Sequence, residues 1–170
     1  TVMTSHIRVY LKKNWFPLIL SVLFGGWALA FIYHSSYVAS DGRLYFNLFD
    51  DAMISMRYGW NLAHGRGLVW NAGEVERVEG YTNLLMTLVM SVATFLFDKR
   101  YAVFAIQLTG IFFTLGTAWM TVRIGERISK DAESNFGMSD SGLYRYLPFV
   151  LILLYYPLNF WSLMGMETGM

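Results

Sequence analysis

The stretch Trp15-Phe16-Pro17-Leu18-Ile19-Leu20-Ser21-Val22-Leu23-Phe24-Gly25-Gly26-Trp27-Ala28-Leu29-Ala30-Phe31-Ile32-Tyr33-His34-Ser35-Ser36-Tyr37-Val38 contains no Asp, Glu, Lys or Arg. At about 1.5 Å per residue, residues 15–38 exceed the ~30 Å of hydrocarbon in a bilayer. The stretch therefore reads as a membrane span. Arg8, Lys12 and Lys13 precede it, which places its N-terminal end in the cytoplasm. A cleaved signal peptide fits less well, because the apolar run is too long and Tyr37-Val38-Ala39-Ser40 is a poor cleavage site. Pro17 near the helix start costs no hydrogen bond, and Gly25-Gly26 permit a close packing or a bend.

The rest of the chain repeats the signal. Residues 82–97 form a short apolar segment, 101–122 a full-length one, and 146–164 a fourth that carries Pro157 and Asn159. A proline and an amide in an apolar run predict a kink facing protein, with Asn159 bonding a neighbouring helix. The composition agrees: 170 residues, 55% hydrophobic, 18% aromatic and only 15% charged, with a net charge of +1. Soluble domains carry roughly 25% charge. A disordered chain and a charge-driven nucleic-acid binder are excluded. The absence of Cys excludes a disulfide framework, a thiolate metal site and a Cys nucleophile. The chain opens on Thr1 and stops just after Gly165-Met166-Glu167-Thr168-Gly169-Met170, so it is expected to be a piece of a longer protein.

Residues 39–81 are too long and too patterned for a simple connection. Phe49, Met53, Met56, Trp60 and Ala63 recur at helical spacing and predict an amphipathic helix lying along the membrane interface. Asn47 is the expected cap, with Asp50 and Asp51 in the first turn and Gly65 ending the helix in the left-handed conformation. Asp50, Arg57, Asn61 and His64 share the opposite, polar face. Beyond Gly67, Leu68–Asn71, Ala72-Gly73 and Glu74–Glu79 read as a small hairpin.

Charge leaves two arrangements. If every segment crosses, the Arg123–Arg145 loop with its four cations lies outside, against the usual trend. If residues 82–97 only dip into the membrane, that loop is cytoplasmic. Gly165-Met166-Glu167-Thr168 then emerges on the same face as Asp50-Asp51. Charge favours the second arrangement.

The chemistry-bearing candidates lie in the polar loop and at its edges. A carboxylate of Asp50 or Asp51 can accept a proton from a hydroxyl, or the pair can simply satisfy a helix start. Paired carboxylates also suit a divalent cation, Mg²⁺ or Mn²⁺. Arg57 can clamp a phosphate or form a surface ion pair, and His64 can do the same or merely end the helix. Tyr81 and Asn83 stand where the loop returns to the membrane, so their polar groups need partners there. No zinc-hydrolase, serine-hydrolase, Walker or Rossmann pattern occurs.

The run Phe49-Asp50-Asp51-Ala52-Met53-Ile54-Ser55-Met56-Arg57-Tyr58, then Asn61 to Asn71, then Glu74 to Asn83, resembles the first extracytoplasmic loop of polytopic GT-C-type glycosyltransferases. It is most similar to their terminal arabinofuranosyltransferase-like group. Gly165-Met166-Glu167-Thr168 is similar to that group's Gly-Leu-Glu-Thr element. The strong resemblance covers about a third of the chain. Leu84-Leu85-Met86 departs from the group's Pro-Leu-Trp.

The resemblance implies an all-α polytopic membrane fold with three to four apolar segments and a folded extracytoplasmic first loop. It implies a multi-pass protein of the inner or plasma membrane, with the active loop outside the cytoplasm. The implied reaction moves a sugar from a polyprenyl-phosphate donor to a glycan, lipid or protein acceptor in cell-envelope synthesis. It implies Asp50 and Asp51 as the catalytic pair, with no cofactor required and a divalent cation an option. Arg57, His64, Tyr81, Asn83 and Glu167 are candidates for phosphate or substrate contacts. The rival reading is a non-enzymatic multispan protein, a transporter subunit or assembly factor, whose loop is a docking platform. The lack of Asp, Glu, Lys and Arg within the spans counts against transport.

Overall fold

The computed structural model describes residues 14–74, 76, 78, 80–136 and 146–167. The flanking cations Arg8, Lys12 and Lys13, the hairpin residues Val75, Arg77 and Glu79, the 137–145 part of the second loop, and Thr168 lie outside the described residues. Helix accounts for 72% of what is described, in six helices with one two-stranded ribbon.

Helix α1 is Trp15–Ser35. It stops three residues before the expected end of the apolar run. The Ser35 and Ser36 hydroxyls donate back to the carbonyls of Ile32 and Tyr33, and Ser36 turns to extended backbone. Such local bonds compete with the next helical turn. The freed Tyr37–Val38 becomes strand β1, paired antiparallel with β2, Leu44–Tyr45. Asp41 builds the turn by accepting the Arg43 amide at 3.0 Å and the Tyr45 hydroxyl at 2.9 Å. The Arg43 amide above all holds the Asp41 carboxyl below its ordinary range, and the bond to Asp41 raises the Tyr45 phenol. Nothing in the alternation of so short a ribbon announces it in the sequence.

Helices α2 (Asp50–Ala63), α3 (Leu84–Leu96), α4 (Lys99–Phe136), α5 (Leu147–Leu154) and α6 (Tyr156–Leu163) follow. Two stretches, Trp15–Ser35 and Lys99–Ser129, are long and apolar enough to cross a membrane. The helix α3 is shorter. The expected fourth segment is broken in two at Tyr155, whose ψ of 88° leaves the helical region. Pro157 cannot donate to the turn before it, and Asn159 repairs the gap. Its amide donates to the freed carbonyl of Leu153 at 2.8 Å and, at 3.4 Å, to that of Ile152, which also accepts the Tyr155 amide. The expected kink is present, and Asn159 of α6 bonds the neighbouring helix α5 across it.

Three apolar clusters hold the helices together. Phe16 and Leu20 of α1 pack with Ala118, Val122, Tyr146 and Phe149. Further along α1, Phe24, Ala28 and Ile32 pack with Leu163, Phe104 and Ile111. So α1, α4 and the α5–α6 pair run alternately up and down. The third cluster, Leu48, Ala52, Met56, Met86, Met90, Val103 and Ile106, joins α2 and α3 to the start of α4.

Gly25 and Gly26 do not serve as expected, for a Cβ at either would meet nothing within 4 Å and α1 runs unbroken past both. The close approaches are at Gly59, where a Cβ would lie 2.9 Å from the Ser91 nitrogen, and at Gly110, 2.3 Å from the Ser162 carbonyl oxygen. Small residues let helix backbones come together.

The buried side of α2 also differs from the periodic reading. Ala52, Ser55, Met56, Tyr58, Gly59 and Asn61 are buried, while Met53 is 43% exposed. The cause is that α2 is clasped on two sides. Helix α3 packs on the small residues Ala52, Ser55 and Gly59. The chain after Gly67 covers Tyr58 and Asn61. The described residues of the expected hairpin form no strand, yet its two arms meet: the Trp70 amide donates to the Val78 carbonyl at 3.4 Å, and the Asn71 side chain donates to the Glu76 carbonyl and Glu74 carboxylate and accepts the Val78 amide.

Candidate functional site

Asp50 is the first residue of α2 because Phe49 is extended, at ψ 155°, and the chain before it is pinned. Phe46 stacks on Phe104 at 4.6 Å, and Leu48 is buried. The Phe49 amide donates to the Met164 carbonyl at 2.9 Å, and its ring meets the Trp161 ring edge to face at 4.8 Å. Asn47 is not the cap; its carbonyl accepts the buried Gln107 amide at 3.0 Å, and no side chain caps the helix. Asp50 and Asp51 are both exposed, and among the described residues neither carboxylate makes a hydrogen bond or an ion pair. They stand in the first turn of the helix, beside its unpaired backbone N–H groups. Such a carboxylate is free to accept a proton or a hydroxyl hydrogen bond.

The end of α6 is brought to this place by its own turn. The Gly165 amide bonds the Ser162 carbonyl and the Met166 amide bonds the Trp161 carbonyl, with Gly165 at φ +81°. That is the hydrogen-bond pattern of a Schellman ending, which needs a left-handed residue. It turns the chain so that Glu167 accepts the Asn83 side-chain amide at 2.8 Å. Asn83 in turn accepts the Ser55 hydroxyl at 3.5 Å, while its backbone carbonyl accepts the Thr87 hydroxyl at 2.9 Å. Three stretches far apart in the sequence thus meet: residues 47–51, Asn83, and 164–167.

Gln107 is the clasp between two of them. Fully buried on α4, it donates from Nε2 to Asn47 and also to Leu163 at 3.1 Å. Replacing it with Leu leaves two carbonyls without that donor. Unfilled buried acceptors cost about 1–3 kcal/mol. We expect Gln107→Leu to lower the melting temperature of the detergent-solubilised protein by several degrees. An unchanged melt would mean that the Phe49–Met164 bond alone holds the join.

The remaining candidates separate. Arg57 donates from Nε to the Trp70 carbonyl at 3.1 Å and lays its guanidinium 4.2 Å from the Trp70 ring centre, which leaves its terminal nitrogens free. Asn61, read as part of the exposed polar face, is buried and donates to the Val69 and Trp70 carbonyls. His64 stacks on Trp60 at 3.9 Å, and its Nδ1 donates to the Trp60 carbonyl at 2.8 Å. A carbonyl only accepts, so Nδ1 carries the proton. His64 therefore finishes α2, and Gly65 follows at φ +71°. Tyr81 meets Tyr58 edge to face at 5.3 Å, and Tyr58 donates to the Val78 carbonyl.

Sequence reasoning missed a cationic cavity of about 510 Å³ beside α2. Its charged lining residues are Arg57, Arg66, Lys99 and Arg100. The signal that could have found it is Lys99-Arg100, a basic pair just before the long apolar run. Among the described residues, no group of three or more His, Asp or Glu converges to hold a metal ion. A divalent cation at Asp50-Asp51 would therefore draw further ligands from elsewhere. No known family model, curated protein or solved structure matches this chain.

Proposed function

We propose that this chain is the N-terminal part of a membrane glycosyltransferase that moves a sugar from a polyprenyl-phosphate donor to a hydroxyl acceptor outside the cytoplasm. One observation carries the reading. The three sequence elements that resemble the GT-C-type enzymes, Phe49-Asp50-Asp51, Tyr81-Thr82-Asn83 and Gly165-Met166-Glu167, are joined by the Phe49–Met164 and Asn83–Glu167 bonds. Their meeting at one corner of the fold supports a common task. In this reading Asp50 or Asp51 accepts the proton of the attacking hydroxyl as the bond to the sugar forms and the lipid phosphate leaves. Glu167 and Asn83 fix the wall beside it, and Arg57 stands ready for the phosphate.

The topology belongs to the same proposal. Helix α3, at 13 residues, is about 20 Å long, short of the ~30 Å hydrocarbon. Both its ends meet the same loop: Asn83 contacts Ser55, and Lys99 lies 4.8 Å from the Trp60 ring. This supports a segment that dips and returns, with α1, α4 and the broken α5–α6 segment crossing. Many large apolar side chains on these helices face outward, among them Val22, Phe95, Phe112 and Leu154. A lipid surround gives them a partner. Because the chain has no Cys, single cysteines test this directly. Ala72→Cys is expected to react with an impermeant maleimide on intact cells and Glu133→Cys only after lysis. Labelling of both on intact cells would overturn the dipping segment.

The function itself is tested by deleting the full-length gene and analysing surface glycans and glycolipids. A missing sugar restored by the wild-type gene supports the proposal. An unchanged glycan profile would remove it in favour of the docking platform.

A further inference from the structure

We propose that the cavity between α2, the β1–β2 ribbon and the α3–α4 turn binds the phosphate headgroup of a membrane lipid. The charge of its wall is one-sided. Arg57, Arg66, Lys99 and Arg100 line it, and among the described residues no Asp or Glu does. Among the described residues only Arg100 has an ion-pair partner, Asp98 at 3.4 Å. Asp98 is itself occupied, since its Oδ1 accepts the Arg100 and Tyr101 amides at the start of α4. Asp50 and Asp51 do not line the cavity. The site is thus built to hold an anion, not to take a proton from a neighbour.

Its cations are held in place by aromatic faces. Arg57 lies over Trp70 at 4.2 Å, Lys99 over Trp60 at 4.8 Å and Arg100 over Tyr45 at 5.9 Å. Such stacking orients a cation while leaving its N–H groups free to bond a phosphate. Arginine in particular offers a planar fork matched to phosphate oxygens.

A free phosphate ion does not explain the rest of the cavity. At about 510 Å³ it is far larger than that ion, and Met53, Met56 and Val103 give it an apolar floor. Phe97 and Tyr101, flanking the Lys99-Arg100 pair, are exposed. Charged rim and apolar floor together fit a phosphate ester carried on a hydrocarbon anchor. Two lipids have that chemistry, an acidic glycerophospholipid and a polyprenyl phosphate. The cavity shares Arg57 with the glycosyltransferase reading: as a polyprenyl-phosphate site it rests on that reading and deepens it, whereas as a glycerophospholipid site it goes beyond it.

The test uses the full-length protein in nanodiscs of phosphatidylcholine. Phosphatidylglycerol in one arm, polyprenyl phosphate in a second and inorganic phosphate in a third are added, and bound ligand is read by native mass spectrometry. We expect at least one of the two lipids to bind wild type, and binding to weaken by about tenfold or more in Lys99→Gln/Arg100→Gln, as the loss of charged hydrogen bonds implies. Higher salt should weaken it further. The Lys99→Arg variant keeps the charge and is expected to retain binding, which separates a lost contact from a lost fold. Asp50→Asn is also expected to bind normally, so failure of the transfer reaction and failure of this site are told apart. Equal binding by wild type and the double variant, or binding of inorganic phosphate as tight as that of either lipid, would overturn the proposal.

Discussion

Asp50→Asn and Asp51→Asn, produced at wild-type membrane levels in a strain lacking the gene, are expected to give unequal rescue, with one of them restoring no detectable glycan. A positioned general base contributes about 10²–10⁴-fold to rate, and an amide of the same shape cannot accept the proton. Adjacent helical residues point in different directions, so only one of the two can face the acceptor. The other should lower product by a smaller factor. The fold is not at stake. Both side chains are exposed and bonded to no described residue. Removing one negative charge from a helix start costs about 0.3–1 kcal/mol. A near-normal melting temperature beside an absent product would therefore mark a chemical loss. Full rescue by both variants would end the assignment of a base to this pair, and attention would pass to Glu167.

The largest structural effect is expected at Gly110. A Cβ there would lie 2.3 Å from the Ser162 carbonyl oxygen and 2.9 Å from its carbon. Backbone cannot be pushed aside as a flexible side chain can, so α4 and α6 must separate. That parting would strain the Gln107 clasp one turn away and the Phe49–Met164 join. Overpacking of this kind costs up to about 3 kcal/mol. Helix propensity alone predicts the opposite sign, since Gly is worse than Ala by about 0.5–1 kcal/mol. Gly116 on the same helix supplies the control, because a Cβ there meets nothing within 4 Å. Gly110→Ala should melt well below wild type in detergent, while Gly116→Ala should melt at or above it. Equal behaviour of the two would mean that α4 and α6 do not meet this closely.

The strength of each sequence signal tracks how local its cause is. Trp15–Ser35 and Lys99–Ser129 are apolar by composition alone, and no packing detail is needed to see them. Asp50, Asp51 and Gly65 mark the two ends of α2 through backbone rules that act within one turn. Pro157 announces a break for the same reason, since a missing N–H and a ring clash act on the preceding turn.

The burial of α2 was not legible, because period alone cannot say how many neighbours a helix will have. Met53 and Trp60 mark the apolar, interface-facing side in the sequence, yet α3 packs on the side bearing Ala52, Ser55 and Gly59, where backbones approach most closely. Asn61 looked like surface and became the buried anchor of the covering loop. Asn47 looked like a cap and instead gives its carbonyl to Gln107, a residue 60 positions away. The expected hairpin rests on a turn signal; its arms are joined by the Trp70–Val78 backbone bond and by the Asn71 side chain, which no turn signal announces.

Composition and spacing by themselves determined that the chain is helical and strongly apolar, where its long helices run, and that a folded polar loop with a carboxylate pair separates them. Those properties depend on the water-to-hydrocarbon preference of each residue and on bonds within a few positions. Which residues of the loop meet, and what lies beside them, was settled only when the helices packed. The Asn83–Glu167 bond spans 84 positions, and Lys99 reaches Trp60 only because α3 folds back along α2. A contact of that kind has no period and no local propensity, so no reading of the linear sequence contains it.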